Sequence, residues 1–340
     1  MGFSIALLNN IRANGSDEYQ SRIPVATQEN ITSIGNSFQT YTQLFNEFST
    51  QLMNKIGKTI LEQKLFKNRF AKYKSGAILT QQDVEEIFVE MCKAEGAYDK
   101  DGKNPLGRRN PPDVKVMYHR MNRQDYYAIS IGDLDFLRVF RSEATLDSFI
   151  TELVNAVYSG ANYDEYLAMK NLLATYKNVE GTKHGYFDYQ VPAITQDTAK
   201  ESCEQLLKTL QKAIYDMTLE PSTAYNSAGV RTWSNEKGLV FFVHKDVVAE
   251  CNVEVLSKAF NLGKVKIPVE IEVMPDFGEL KNTYGLLVDR DFFKVWDTLS
   301  HMEPQRNAQG LFTNWFYHVH QILSLSRFKN AARFTTEELA

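Results

Sequence analysis

Apolar positions recur at helical spacing in three stretches of the chain. The first runs Phe38, Tyr41, Leu44, Phe45, Phe48, Leu52, Ile56 and Ile60, with Asn36-Ser37 placed to cap its start. The second is the strongest: Leu146, Phe149, Ile150, Leu153, Val154 and Val157 form one stripe, entered through Ser142 or Thr145. Ser159-Gly160 weakens it, and Asn162 with Glu165 can cap a further segment carrying Tyr166, Leu167, Met169, Leu172, Leu173 and Tyr176. If continuous, residues 146–177 make a rod of roughly 48 Å at about 1.5 Å per residue, a spine on which other elements lean. The third opens at Thr198, which forms a capping box with Glu201, and its stripe is Cys203, Leu206, Leu207, Leu210, Ala213, Ile214 and Met217.

Elsewhere the pattern is extended. Residues 1–36 are rich in Asn, Ser, Gln and Gly and predict an arm with at most a short helix near its start. From 64 to 131, a basic and aromatic run, KLFKNRFAKYKSG, leads into DVEEIFVEM, then a charged Gly/Pro loop, then VKVMYHRM and DYYAISI. Two extended arms around a polar tip predict a long β-hairpin, and a lone two-stranded hairpin is marginal in water unless something covers it. GYFDYQV is an aromatic strand in a loop of 178–195. Residues 196–300 predict a compact α/β block with VRTWS, GLVFFVH, KIPVEIEVM, YGLLVD and FFKVWDTL as strands and VEVLSKAFNL as a helix. The last segment, LFTNWFYHVHQILSLSRFKNAARF, is a long aromatic strand or strand pair.

Composition adds mainly exclusions. With 340 residues, 43% of them hydrophobic and 24% charged, the chain folds rather than staying disordered, as two domains or one elaborated one. A net charge of −4 lacks the basic footprint of a nucleic-acid binder, although a shell around DNA need only tolerate the polymer on its inner face. Cys92, Cys203 and Cys251 are far apart and odd in number, which predicts neither a disulfide framework nor a zinc site and fits a reducing compartment. No signal peptide is expected from the first fifteen residues, Ala6 breaks the myristoylation pattern after Gly2, and no apolar run spans a membrane.

Candidate chemistry is thin. Gly96 and Gly102-Lys103 are wrongly spaced for a phosphate loop, and Asn110 stands where a calcium loop beginning at Asp99 needs a glutamate. His318 and His320 share one side of a strand, but with Trp315, Phe316, Tyr317 and Val319 around them they read as packed or interface side chains. Asp289, Asp291, Glu85 and Glu86 read as solvated charges at element ends. The basic run Lys64, Lys67, Arg69, Lys72 and Lys74, interleaved with Phe66, Phe70 and Tyr73, suits nucleic acid or a complementary neighbouring subunit, and the overall acidity favours the subunit. No catalytic residue, cofactor or metal is expected. An arm and a hairpin that bury little in a monomer point instead to association with copies of the same chain.

An arm, a long hairpin, a spine helix and a compact α/β block, in that order, resemble an α+β Hong-Kong-97-type capsid fold. IGKTILEQKLFKNRFAKYKSG, PPDVKVMYHRMNRQDYY, AVYSGANYDEYLAMKNLL, VEVLSKAFNL, LLVDRDFFKVWDTLSHMEPQRNAQGL and WFYHVHQILSLSRFKNAARF are similar to the major capsid proteins of small salasvirus-like podophages of Bacillus. The resemblance runs to about Phe334 and is weakest between Asn178 and Thr232; the Bacillus relatives carry a further immunoglobulin-like domain after the last strand. It implies an N-terminal arm at 1–36, a helix at 37–63 leading to an extended loop at 64–131, a peripheral domain at 132–195 and 301–340, and an axial domain at 196–300. It also implies pentamers and hexamers built around a scaffolding protein and a portal protein, filled with double-stranded DNA, with assembly in the host cytoplasm. Arg69, Lys72, Arg108 and Arg109 are then candidates for intersubunit ion pairs with Glu85, Glu86 or Asp164. The rival readings are an encapsulin-type nanocompartment shell and a soluble enzyme with a site around His318 and His320.

Overall fold

The computed structural model describes residues 3–41, 43–45, 47–48, 51–52, 66–79, 82–92, 111–133, 138, 140, 143–181, 183–195, 198–235, 237–251 and 269–338, with backbone alone at 3, 39, 143–147 and 150–155. The chain opens as three helices and not as an extended arm: α1 (Phe3–Ala13), α2 (Asp17–Arg22) and α3 (Ile31–Thr40). Ile5, Leu8, Ile11, Tyr19, Ile31, Ile34 and Phe38 are buried. Their spacing, diluted by Asn, Ser and Gln, outweighs the polar composition that suggested an arm. Arg12 holds the turn by donating to the carbonyls of Ile23 (2.6 Å) and Gln20 (2.9 Å), and Asn9 exchanges two hydrogen bonds with the Ala26 backbone. Asn36 and Ser37 lie inside α3 and cap nothing; Tyr41 is extended, and helical turns resume at 43–45, 47–48 and 51–52. Leu44, Phe45, Phe48 and Leu52 complete a first core with Ile131, Phe140 and Trp315, while Ile56 and Ile60 lie outside the described residues.

The spine is one helix, α4 (Glu143–Ala174), of 32 residues, unbroken through Ser159-Gly160. Val157, Ala161, Glu165, Met169 and Leu173 are buried on it at four-residue spacing, one face of a helix. Asn162 therefore caps nothing; its amide donates to the Phe66 carbonyl at 3.2 Å. The side chains of Leu146, Ile150, Leu153 and Val154 lie outside the described residues.

Two sheets lean on this spine. The first has the order β1-β9-β10-β4, from β1 (Gly76–Ala77), β9 (Phe293–Asn307), β10 (Phe312–Leu325) and β4 (Arg123–Gly132). The second has the order β5-β11-β8-β6-β7, from β5 (Phe187–Gln190), β11 (Ala331–Thr335), β8 (Thr283–Asp289), β6 (Leu239–His244) and β7 (Glu270–Met274). It is covered on both faces. Val240 and Phe242 meet a second core with Phe70, Tyr73, Met169, Leu173 and Phe293, and Leu239, Phe241 and Val243 meet a third with Leu206 and Leu210 of α5 (Ala199–Thr218). That is why LVFFVH is apolar without alternation. The sheet exceeds the block expected at 196–300: β5 and β11 join from outside it, and β9 leaves it for the other sheet.

The hairpin expected over 64–131 is likewise smaller. β2 (Val84–Val89) and β3 (Val114–His119) pair antiparallel, but DYYAISI becomes β4 alongside β10, and Phe70 and Tyr73, in a 3-10 turn at Arg69–Tyr73, are buried in the second core. VRTWS makes only a bridge between Ser222 and Thr232, and VEVLSKAFNL lies outside the described residues. Thr198 does precede α5, yet its hydroxyl partners Thr195 and Ser202 and makes no capping bond. The expectation of unpaired cysteines is corrected too: Cys203 and Cys251 form a disulfide with Cα atoms 5.7 Å apart. Residues 48 apart give no spacing signal; α5 and α6 (Lys245–Glu250) bring them together.

Candidate subunit interface

The β2–β3 hairpin has two unlike faces, because successive side chains of a strand point in opposite directions. One face docks on the body of the chain. Phe88 packs on Phe328, and the buried His119 ring lies 5.7 Å from that of Trp296. Glu90 accepts from the Arg231 amide at 3.1 Å, and Lys115 donates to the Ala228 carbonyl at 3.3 Å. At one end of the other face Val89 borders a shallow cavity shared with Thr232 and Trp233, but that face is mostly open. There Ile87 stands opposite Val116, Val89 opposite Val114, and Glu85 opposite Tyr118. Ile87 is 57% exposed, Val89 54%, Val116 43% and Tyr118 56%. β-branched cross-strand pairs stabilise sheets by packing, and here they line an open apolar surface of the kind that marks a contact site.

The ion-pair candidates divide between uses. Lys72 is paired within the chain to Glu270 at 2.5 Å and to Glu272 on β7. Glu86 points to the docked face, where it meets His119 at 3.1 Å and Lys294 at 3.4 Å and accepts from the Ser326 hydroxyl at 2.8 Å. Burial opposes its charge, but the bonds from His119 and Ser326 and the Lys294 ammonium outweigh it and hold Glu86 below the usual carboxylate range. Asp164, exposed on α4, accepts from the Tyr127 hydroxyl at 2.8 Å. Glu85 is exposed on the open hairpin face with the Tyr118 hydroxyl 3.3 Å away, and Arg69 is exposed with no ion pair among the described residues. Arg108 and Arg109 lie outside the described residues. Of the basic run, Phe70, Tyr73 and Lys74 turn inward and Lys67 and Arg69 outward, so it is not one continuous basic surface.

Lys74 belongs to a buried polar knot that the sequence reading did not assign. Its ammonium lies 2.8 Å from Glu165 and 2.7 Å from Asp297. Asn68 donates to Glu165 at 2.6 Å, and Gln321 donates to Glu165 and, at 2.7 Å, to Asp297. Gln321 also accepts from Arg123 at 2.7 Å. The β9–β10 register shifts beside Gln321, leaving Thr298 as an extra residue, and such bulges re-aim side chains. Lysine, aspartate and glutamate in contact are the atoms of an amide-forming triad, but their ionisation runs the wrong way. Burial works against both charges, yet Asp297 and Glu165 hold Lys74 above the usual lysine range, and Lys74, Gln321 and Asn68 hold Glu165 below the glutamate range. An ammonium is no nucleophile. The legible signal was Glu165 itself, a carboxylate amid an apolar stripe at four-residue spacing.

A family model for the Phi29-like phage major capsid protein matches residues 8–335. The chain belongs to this family. The major capsid protein of Bacillus phage B103 is 34% identical over 335 residues, covering 98% of this chain and 73% of that one. That of Streptococcus phage Cp-1 is 27% identical, covering 98% and 95%. The fold is that of solved phage capsids. The capsid structure of Staphylococcus phage Andhra aligns with a TM-score of 0.64 at 11% identity, covering 82% of this chain and 87% of that one. That of cyanophage P-SCSP1u aligns at 0.51 and 11%, covering 83% and 91%.

For a Phi29-like capsid protein the remaining chemical candidates read as structure. His318 and His320 lie on one face of β10, with His318 opposite His301 and Tyr126. Among the described residues no group of three or more His, Cys, Asp or Glu is placed to hold a metal ion. Glu85 and Glu86 fall on opposite faces of β2 and cannot form an acid–base pair. Asp289 is buried, accepts from the Asn330 amide at 2.9 Å, and has its carboxyl pushed up by burial, while Asp291 is exposed.

Proposed function

We propose that this capsid protein closes its head shell through the open face of the β2–β3 hairpin, covered in the shell by a neighbouring copy. The exposed apolar row Ile87, Val89, Val114, Val116 and Tyr118, on a hairpin whose other face is already docked, carries the reading. Arg69 and Glu85, both exposed, and Asp164 are the ion-pair candidates left for such contacts, together with Arg108 and Arg109. In this reading the hairpin is the extended loop, α4 with β4, β9 and β10 the peripheral domain, and the five-stranded sheet the axial domain around the five- and six-fold positions. The shell forms around a scaffolding protein and a portal and holds double-stranded DNA, and the chain catalyses nothing. Among the described residues no helix is long and apolar enough to cross a membrane.

Family membership favours a phage head over an encapsulin-type compartment. The test is negative-stain microscopy of the protein expressed with and without its gene neighbours. Closed shells are expected, and Ile87→Lys with Val116→Lys should abolish them while leaving a folded subunit. Normal shells from that double variant would overturn the assignment of the hairpin face.

A further inference from the structure

The disulfide joins two elements that are unequally anchored. Cys203 lies in the first turns of α5, which also buries Ser202, Leu206, Leu210, Ala213, Ile214 and Met217. Cys251 ends α6, a helix of six residues that buries only Val247. Both cysteines are nearly inaccessible, 1% and 2% exposed, and sit in the third core beside Leu206, Val243 and Val247. Free buried cysteines behave as small apolar side chains, so an apolar core can hold two thiols once their sulfurs part to van der Waals distance. Four apolar cores among the described residues already support the chain, and it does not depend on a staple as a small secreted domain does. The bond adds a covalent tie at the C-terminal end of α6, whose buried anchor within the helix is otherwise Val247.

A head protein passes from the reducing interior of a bacterium to the oxidising exterior. We infer that Cys203 and Cys251 are a dithiol in the newly made subunit and become a disulfide after the shell has formed and left the cell: a covalent staple added late, not a requirement for folding or assembly. This rests on the shell reading above. The oxidant is a small disulfide of the glutathione class. The Cys251 thiolate, exposed when α6 opens, attacks one of its sulfurs and expels one small thiolate. The Cys203 thiolate then attacks the Cys251 sulfur of the mixed disulfide and expels the second. Two protein thiols and one small disulfide become one protein disulfide and two small thiols, the two protons leaving with them. Cys251 reacts first because a six-residue helix with one buried side chain opens at less cost than α5. The burial that slows formation also shields the finished bond from reductants.

The test counts thiols. Shells taken from cells broken into denaturant with N-ethylmaleimide are compared with shells first held with glutathione disulfide and then treated alike. The first should carry three alkylated cysteines per chain. The second should carry at most one, at the exposed Cys92, which is either alkylated or capped by glutathione, with a peptide linking Cys203 to Cys251. The oxidised shells should melt about 5 °C higher, a gain that Cys251→Ala lacks and Cys92→Ala keeps. Cys203→Ala and Cys251→Ala should both form shells in normal yield.

A bond already complete in the freshly quenched protein would overturn the timing. Three persistent thiols after oxidation would overturn the staple. Loss of shells in both Cys251→Ala and Cys203→Ala, with Cys92→Ala unaffected, would overturn the claim that assembly does not need the bond. If the unaltered chain forms no shells by sedimentation, the shell reading fails separately, and the thiol count on the soluble protein still decides whether the pair is reduced inside the cell.

Discussion

The knot around Glu165 and the open face of the hairpin are opposite solutions to one problem, how to place side chains where water does not suit them. The knot takes Lys74 and Glu165 largely out of water and pairs them within the chain, with Asn68, Gln321 and the partly exposed Asp297. The hairpin leaves the apolar side chains of Ile87, Val89 and Val116 and the ring of Tyr118 largely in water. Buried polar groups left half-satisfied are costly at once, in the isolated subunit. Exposed apolar side chains cost little until a partner arrives, and then their removal from water favours contact. The first region therefore defines the subunit and the second its assembly.

Glu165→Ala should break the knot and the subunit with it. Leaving Lys74 buried with half its partners should cost about 3–5 kcal/mol, measured by urea unfolding. On the hairpin the two faces should separate. Phe88→Ala, on the docked face, should lower subunit stability by about 1–2 kcal/mol. Ile87→Lys with Val116→Lys should move it by less than about 0.5 kcal/mol, yet reduce shell yield at least about tenfold by sedimentation. Lys72→Ala removes a pair that is partly exposed and screened, so its cost should stay below about 0.5 kcal/mol.

The smallest effect is a matter of pH. Glu86 is held below its ordinary range, so its stabilising contribution is complete above the unfolded-state value of about 4.3 and is lost as pH falls through the folded-state value. Amide exchange across 84–89 and 114–119, corrected for its intrinsic pH dependence, should quicken as the pH falls below that unfolded-state value, and Glu86→Gln should remove the pH dependence. An unchanged profile in that variant would show that the docked face does not depend on the carboxylate.

The spine and the hairpin strands were legible because each has its own period: Val157 to Leu173 at four-residue spacing, Ile87 and Val89 at two. The N-terminal helices were less so, because Ile5, Leu8 and Ile11 are set among residues that equally suit a loop, and what holds them is Arg12 reaching back to Ile23. The knot could not be read from pattern alone. Lys74, Glu165, Asp297 and Gln321 are up to 247 positions apart in number, and only the bulge at Thr298 brings the strands into register around them. Charge alternation misled in the basic run, where Lys72 and Lys74 look like free surface cations and are held by Glu270 and Glu165. The disulfide had no signal at all, since a pair of cysteines is recognised by approach in space.

The order of the strands has a consequence for synthesis. β10 lies between β9 and β4, and β11 lies between β5 and β8, so the two most C-terminal of the described strands are interior strands, one in each sheet. Trp315, on β10, is also needed to close the core around the first three helices. A chain still short of residue 331 leaves a gap inside the second sheet, and one short of 312 leaves both sheets open. Neither sheet can therefore be finished before residues 312–335 have been made. A chain released before residue 312 has neither sheet complete, so it brings no finished subunit to a growing particle.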